Sequence, residues 1–264
     1  MSLLTQVLFL LALSGCSSEV VNSFTQTCPQ FFANPGRTLS PPTVFKGKNY
    51  KQICQILKNT YEYATLYDTA NRIPVYSAYK FEGKKGFDRK GSWYIEPQLE
   101  DQNKGRQMAS ESSVAQINNQ AVNADYNGTH NHHFVKGHLA PVFHATSQSS
   151  ANATFTLTNA APQNDKFNNG EWKRTENAVA KALEKKCKGN FAYIVTGVVP
   201  GADKLKNRVR IPSHFWTAYC CLDHKRNVKA SGAFIGENKN DPVQEMSVKN
   251  LDRKLRDEYD LHRS

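Results

Sequence analysis

Acidic residues are the first shortage: 23 Asp and Glu stand against 34 Lys and Arg in 264 residues, a formal charge of +11. A cationic partner is therefore disfavoured. A polyanion is suited, because each phosphate neutralised by Lys or Arg releases counterions and the excess charge attracts at long range. No Cys-x-x-Cys pair occurs among the six cysteines, which argues against a zinc ribbon. After the N-terminal dozen residues no stretch is long and apolar enough to cross a bilayer, so no stable membrane anchor is expected. Internal repeats and low-complexity linkers are missing too. The length then fits one large domain or two small ones with ample core, and 39% hydrophobic residues describe an ordered chain.

What is present begins with a targeting signal. Leu3 to Leu13 is apolar and is followed by Ser14-Gly15-Cys16-Ser17-Ser18. This is the layout of a signal-peptide core and a small-residue cleavage region. Residues 1–20 are read as a signal peptide and 21–264 as the functional domain of a secreted protein. Leu13-Ser14-Gly15-Cys16 also resembles a lipoprotein cleavage box. Export permits disulfides: Cys28 with Cys54 is one expected bridge, and Cys187 can reach Cys220 or Cys221, which point to opposite faces if they lie on a strand. Asn127-Gly128-Thr129 and Asn152-Ala153-Thr154 are glycosylation sequons.

Periodicity outlines the elements. Ile53, Ile56, Leu57 and Tyr61 have helical spacing, which predicts a helix over residues 50–63. Alternation predicts a strand over 73–79, and short strands are expected at 142–143 and 155–157. Trp172, Val179 and Leu183 predict a helix over 169–187, with lysines at its C-terminal end where the dipole favours them. Strands follow at 191–199, ended by Pro200-Gly201, then at 215–222 and 230–235, and a charged surface helix at 247–261. Without a regular βαβ alternation this is an α+β domain.

The informative stretch is Lys136-Gly137-His138-Leu139-Ala140-Pro141, followed by Asn159-Ala160-Ala161-Pro162-Gln163 and by Asn168-Asn169-Gly170-Glu171-Trp172 with Glu176. On one unbroken helix Asn168, Trp172 and Glu176 would share a face. An amide oxygen and a carboxylate suit a hard cation that keeps most of its waters. A neutral imidazole beside it can take a proton from water. Together they form a minimum kit for metal-assisted phosphodiester hydrolysis. Taken singly, His138 would be a solvated loop histidine, Asn168 a helix N-cap and Glu176 a surface partner of Lys173. His130, His132 and His133 form a second histidine cluster, read as a solvated loop rather than a transition-metal site.

The order, residue types and intervals of this stretch resemble the ββα-metal active site of the DNA/RNA non-specific endonucleases, the group that contains endonuclease G. Thr27-Cys28-Pro29, Tyr193-Ile194-Val195-Thr196-Gly197 and Ile211-Pro212-Ser213-His214-Phe215-Trp216 extend the resemblance to the vertebrate endonuclease domain-containing 1 group. It implies a central antiparallel sheet with the ββα-metal element on one side. It also implies cleavage of DNA and RNA through phosphate contacts, leaving 5′-phosphates, with Mg2+ or alternatively Mn2+ as cofactor. By position His138 corresponds to the general base, Asn168 to the direct metal ligand and Glu176 to the residue orienting the cation's waters. The family's Asp-Arg-Gly-His reads Val135-Lys136-Gly137-His138 here. Lys136 keeps a charge for the transition state but not the bidentate fork of Arg, so a slower enzyme is expected. Arg89 is a candidate for a second, upstream arginine, and Ala180 stands where a further basic residue is expected. The competing readings are a catalytically impaired nucleic-acid-binding relative and a basic protein that binds glycans or lipids.

Overall fold

The computed structural model describes residues 19–89, 91–127 and 134–261. Residues 1–18 of the expected signal peptide, part of the Asn127 sequon and the cluster His130, His132 and His133 lie outside the described residues. Ten strands are found among those described: β1 (Val20–Val21), β2 (Tyr50–Leu57), β3 (Thr60–Asp68), β4 (Ile73–Phe81), β5 (Phe134–His138), β6 (Ala160–Asn164), β7 (Phe191–Leu205), β8 (Val209–Leu222), β9 (Val228–Glu237) and β10 (Gln244–Met246). Eight form one sheet in the order β1-β2-β3-β4-β7-β8-β9-β10, and β5 pairs only with β6. Every pairing is antiparallel. The expected α+β class, with a central antiparallel sheet and a separate ββα element, is what the chain adopts.

The helix expected over residues 50–63 is a hairpin instead. Lys58 and Asn59 both have positive φ, 50° and 62°, and link Leu57 to Thr60 as a two-residue turn. Residues Ile53 to Leu57 are all buried. A strand covered on both faces loses its two-residue alternation, so its apolar positions fell into helical spacing by accident. The strand expected to stop at Pro200-Gly201 runs on to Leu205 through register shifts on both sides of Pro200, since a bulge tolerates a residue that cannot donate to the ladder. Residues 142–144 and 157–159 are single 3-10 turns rather than strands.

Two long helices cover the sheet. α1 (Lys173–Lys186) buries Thr175, Val179, Ala180 and Leu183, packing against Tyr63, Tyr79, Phe81, Ile194 and Tyr219 on one face. The opposite face is covered by Phe24, Phe31 and Phe32 and by Leu251 of α2 (Val248–Leu261). Disulfides join Cys28 to Cys54 and Cys187 to Cys221. Cys220, on the other face of β8, stays free. Each bridge closes a loop of 26 or 34 residues, worth roughly 3–4 kcal/mol in chain entropy. No described helix is long and apolar enough to cross a membrane.

Candidate active site on the ββα element

β5 delivers Lys136 and His138 to one face, because alternate residues of a strand point the same way. Trp93 touches both: its ring lies 4.8 Å from the His138 ring and 5.4 Å from Lys136 Nζ. Gly137, between them, is obligatory. A Cβ there would fall 2.5 Å from Gln163 Cβ and 2.3 Å from its Oε1. Register pairs His138 with Ala160 and Gly137 with Ala161, so the Lys136-Gly137-His138 and Asn159-Ala160-Ala161-Pro162-Gln163 motifs are the two halves of one ribbon.

Asn159 fastens that ribbon to the large sheet. Its Oδ1 accepts from Ala140 N–H and from Ser77 Oγ–H, both at 2.9 Å. Its Nδ2 donates to the carbonyls of Ala140 (3.0 Å) and Thr154 (2.9 Å). Leu139 N–H donates to the Asn159 carbonyl at 2.9 Å. The chain leaving His138 is thus held by a fully used, buried amide, and the imidazole inherits that fixity. On the other edge Asn238 Nδ2 donates to the carbonyls of Pro162 and Pro212, and its Oδ1 accepts from Asn164 N–H.

The His138 ring is packed between Trp93 and Phe155, with ring centroids 4.8 and 4.9 Å away. Burial, with the Arg89 guanidinium adding to it, pushes the imidazole down to about 3. It is therefore neutral at any physiological pH. Its Nε2 is shielded from solvent and has no hydrogen-bond partner among the described residues. An unmade buried hydrogen bond costs about 1–3 kcal/mol, and such a cost retained beside titratable groups marks a candidate functional atom. Burial likewise raises the Glu176 carboxyl to about 8, against the opposing charges of Arg89 and Lys173. Arg89 therefore influences both groups electrostatically, and its guanidinium also lies 5.4 Å from the Phe155 ring. That ring packs against both the His138 ring and the Arg89 guanidinium. Lys136 sits across Trp93 from His138, its ammonium 5.4 Å from the Trp93 ring and 5.6 Å from Tyr126. Its half-burial lowers the amine, and Glu111 partly offsets the effect.

Asn168 does not begin a regular helix. It opens a π-turn (Asn168–Trp172) in which Gly170 leaves the helical region at φ −102°, ψ −106°. In an unbroken α-helix, residues 168 and 176 would be rotated by about 80° from one another. A wider turn rotates less per residue and narrows that angle. Trp172 does not line up with Asn168 and Glu176 as the helical spacing suggested. It is buried against Phe167 and Phe215. Asn168 is half-buried, and no contact among the described residues joins its side chain to His138 or Glu176.

The residues present fit a hydrated hard cation. Asn168 offers an uncommitted amide, Glu176 a carboxyl that a nearby positive charge would ionise, and His138 Nε2 an unused acceptor. Among the described residues no group of three His, Cys, Asp or Glu could cage a metal unaided, and an ion that keeps most of its waters needs no such cage. The sequence pattern missed the aromatic walls Trp93 and Phe155 and the anchoring role of Asn159. A tryptophan in the polar stretch Gly91-Ser92-Trp93 was the one local sign. Two hollows lie elsewhere, one of about 400 Å³ lined by Ala140 and His144 and one of about 630 Å³ between Pro41-Pro42 and α2.

Comparison with known proteins bears on this arrangement. The family model described as DNA/RNA non-specific endonuclease matches residues 40–263. Endonuclease domain-containing 1 protein of Homo sapiens is 31% identical over 227 residues, which is 82% of this chain and 43% of the human protein. Its Mus musculus counterpart is 28% identical over 239 residues, 86% of this chain and 45% of the mouse protein. The chain thus spans less than half the length of these relatives. A solved structure of a complex between EndoG and EndoGI contains a chain that superposes with a TM-score of 0.56 at 20% identity, covering 74% of this chain and 82% of the other.

Proposed function

Because the chain belongs to the DNA/RNA non-specific endonuclease family, we propose that it is a secreted, metal-dependent nuclease that hydrolyses DNA and RNA without sequence preference, leaving 5′-phosphate ends. The observation that carries this reading is the His138 imidazole. It is neutral, wedged between two aromatic rings and within the field of Arg89, with an Nε2 that has no partner among the described residues. His138 accepts the proton of the attacking water at Nε2. Nε2 is shielded from bulk water, so that water enters with the phosphate. The phosphate's negative charge offsets Arg89 and, by favouring the imidazolium, raises the basicity that burial has lowered. Arg89 and Lys136 stabilise the charge that grows on the phosphoryl oxygens. Asn168 would hold Mg2+ or Mn2+ and Glu176 would orient the waters of that ion, which when bound supplies Lewis-acid charge to the phosphate. Contacts of this kind engage phosphates rather than base edges and carry no sequence information.

Export is supported by the two disulfides, which persist in oxidising compartments, and by the apolar segment before residue 14. We take the N-terminal apolar segment as the signal, cleaved before Glu19 because Glu19 and Val20 are built into the fold, and Asn152, half-buried in a short helix, as a glycosylation candidate. A second reading, a nucleic-acid-binding relative with little catalysis, is favoured by Val135 in place of an acid and by a Lys136 ammonium that rests on Trp93 and Tyr126. The two separate in one assay. Purified protein should nick supercoiled plasmid with Mg2+ and stop when EDTA is added. Plasmid that is bound, with a retardation that weakens steeply as salt rises, but never nicked with Mg2+ or Mn2+ would establish the second reading.

A further inference from the structure

Arg89 stands on an unpromising support. Residues 82–91 carry Gly83, Gly86 and Gly91, and Gly83 has a left-handed φ of 93°. The segment from Glu82 to Arg89 forms no regular element. A loop of this composition spreads over many conformers, yet the proposed chemistry needs the Arg89 guanidinium at one place from which it acts on His138 and Glu176.

Three fastenings hold the loop. At its start Lys84 N–H donates to Glu184 Oε1 of α1 at 3.0 Å, and Lys84 Nζ lies 3.5 Å from Glu184 Oε2. Further on, Lys85 Nζ donates to the Thr146 carbonyl at 3.1 Å. The third falls on the residue before Arg89. The Gln148 side-chain amide grips both backbone groups of Asp88: Asp88 N–H donates to Gln148 Oε1, and Gln148 Nε2 donates to the Asp88 carbonyl, each at 3.1 Å. The amide orientation is itself fixed, since Nε2 also donates to Asn152 Oδ1 at 2.9 Å. Gln148 is the first residue of the short helix Gln148–Ala153, which is capped by Ser147 Oγ accepting from Ser150 N–H. That helix buries Ala151 and Ala153 in the core, so the clamp stands on rigid structure.

We propose that Gln148 is the positioning residue for Arg89. By clamping the Asp88 peptide from both sides it holds the guanidinium over the Phe155 ring that packs on His138, and it does so without touching substrate. This rests on the reading of the site as a nuclease centre with Arg89 in it. An exposed glutamine is ordinarily replaceable without consequence. Here both ends of its amide are committed to the backbone of the residue preceding the arginine. Asp88, by contrast, contributes its peptide and not its carboxylate, so its identity is free.

The test is a double-mutant cycle on plasmid cleavage with Mg2+, with kcat and KM resolved. Arg89→Ala should lower kcat by about a hundredfold, as for loss of one charge-stabilising donor. Gln148→Ala should lower kcat by about tenfold through misplacement alone, leaving KM and the melting temperature nearly unchanged because the side chain is exposed. The combined variant should match Arg89→Ala, since a clamp has no effect once the group it positions is gone. Independent, multiplying losses in the combined variant would overturn the proposal, and so would a Gln148→Ala enzyme of unaltered kcat. If Arg89→Ala cuts normally while His138→Ala is dead, the nuclease reading stands and the clamp has nothing to position. If His138→Ala cuts as fast as the unaltered protein, both fall. Replacing Asp88 by Asn should leave kcat intact, and a large loss there would move the role from Gln148 to the Asp88 carboxylate.

Discussion

Two histidines stand at either end of the Leu139-Ala140-Pro141-Val142-Phe143 connection and look alike by most measures. Both rings pack against aromatics, and burial pushes both down, His138 to about 3 and His144 to about 4. They differ in their nitrogens. His144 Nε2–H donates to the Glu176 carbonyl at 3.1 Å, and its Nδ1 accepts from Tyr79 O–H at 3.0 Å, the one assignment in which a neutral ring serves both partners. Tyr79 continues to Thr196 at 3.5 Å and Thr196 to Thr217 at 3.0 Å. His144 is thus the end of a polar chain through the core, with both ring nitrogens in use. His138 Nε2 has no partner. A depressed imidazole is common to structure and catalysis, and the unspent nitrogen tells them apart.

That contrast breaks cleanly if the two residues are exchanged for smaller ones. His144→Ala removes a buried ring and takes one hydrogen-bond partner each from Tyr79 O–H and the Glu176 carbonyl. It should cost about 2–4 kcal/mol, a drop in melting temperature of roughly 5–15 °C for a chain of this size. Calorimetry on matched samples measures this. His138→Ala should melt close to the unaltered protein, because it removes an unpaired nitrogen along with the ring. If His138→Ala proves the more destabilised of the two, the distinction drawn from the nitrogens is wrong.

A smaller effect is expected at a second set of buried titratable groups, a pair of carboxyls. Glu19 and Glu96 are both fully buried. Burial raises both carboxyls, Glu96 to about 7. The Glu96 charge adds to the rise at Glu19, while Arg106 and the Ile56 N–H lower it. Glu19 Oε1 accepts from Ile56 N–H, and Glu96 Oε1 accepts from Thr158 Oγ–H. A carboxyl raised in the folded state binds its proton more tightly there than in the unfolded chain. The stability it contributes is full below the unfolded value and is lost as pH rises through about 7. The melting temperature should therefore fall between pH 5 and 8, and Glu96→Gln, which holds its neutral form at every pH, should flatten that fall. An equally steep fall in Glu96→Gln would assign the pH dependence to other groups.

The sequence nominated a candidate site more readily than it outlined the fold around it. Lys136, His138, Asn168 and Glu176 were proposed because short motifs need particular residue types at particular intervals, and the pairing of His138 with Ala160 joins the first two of those motifs into one ribbon. The strands at β4, β8 and β9 were readable from alternation or apolar runs. β2 was not, since burial on both faces erased its period, and the Lys58-Asn59 turn lacks the glycine that usually announces a two-residue hairpin. The π-turn at Gly170 has no local signature. The Gln148 clamp on Asp88 and the Asn159 anchor on Ser77 and Ala140 are contacts across tens of residues, which no spacing rule reaches. For Cys187 alternation left two partners, and the packing of α1 against β8 selects Cys221.

The central claim is that the unspent nitrogen of His138 is the proton acceptor. His138→Ala would leave a slot of imidazole's shape between Trp93 and Phe155, whose rings lie 4.8 and 4.9 Å from the native one. The direct measurement is the plasmid cleavage rate of this variant with Mg2+, with and without free imidazole. The account predicts a loss of about a hundred- to ten-thousandfold that added imidazole partly reverses, with no such reversal for His144→Ala. A His138→Ala protein that cuts at the unaltered rate, with imidazole making no difference, would contradict it.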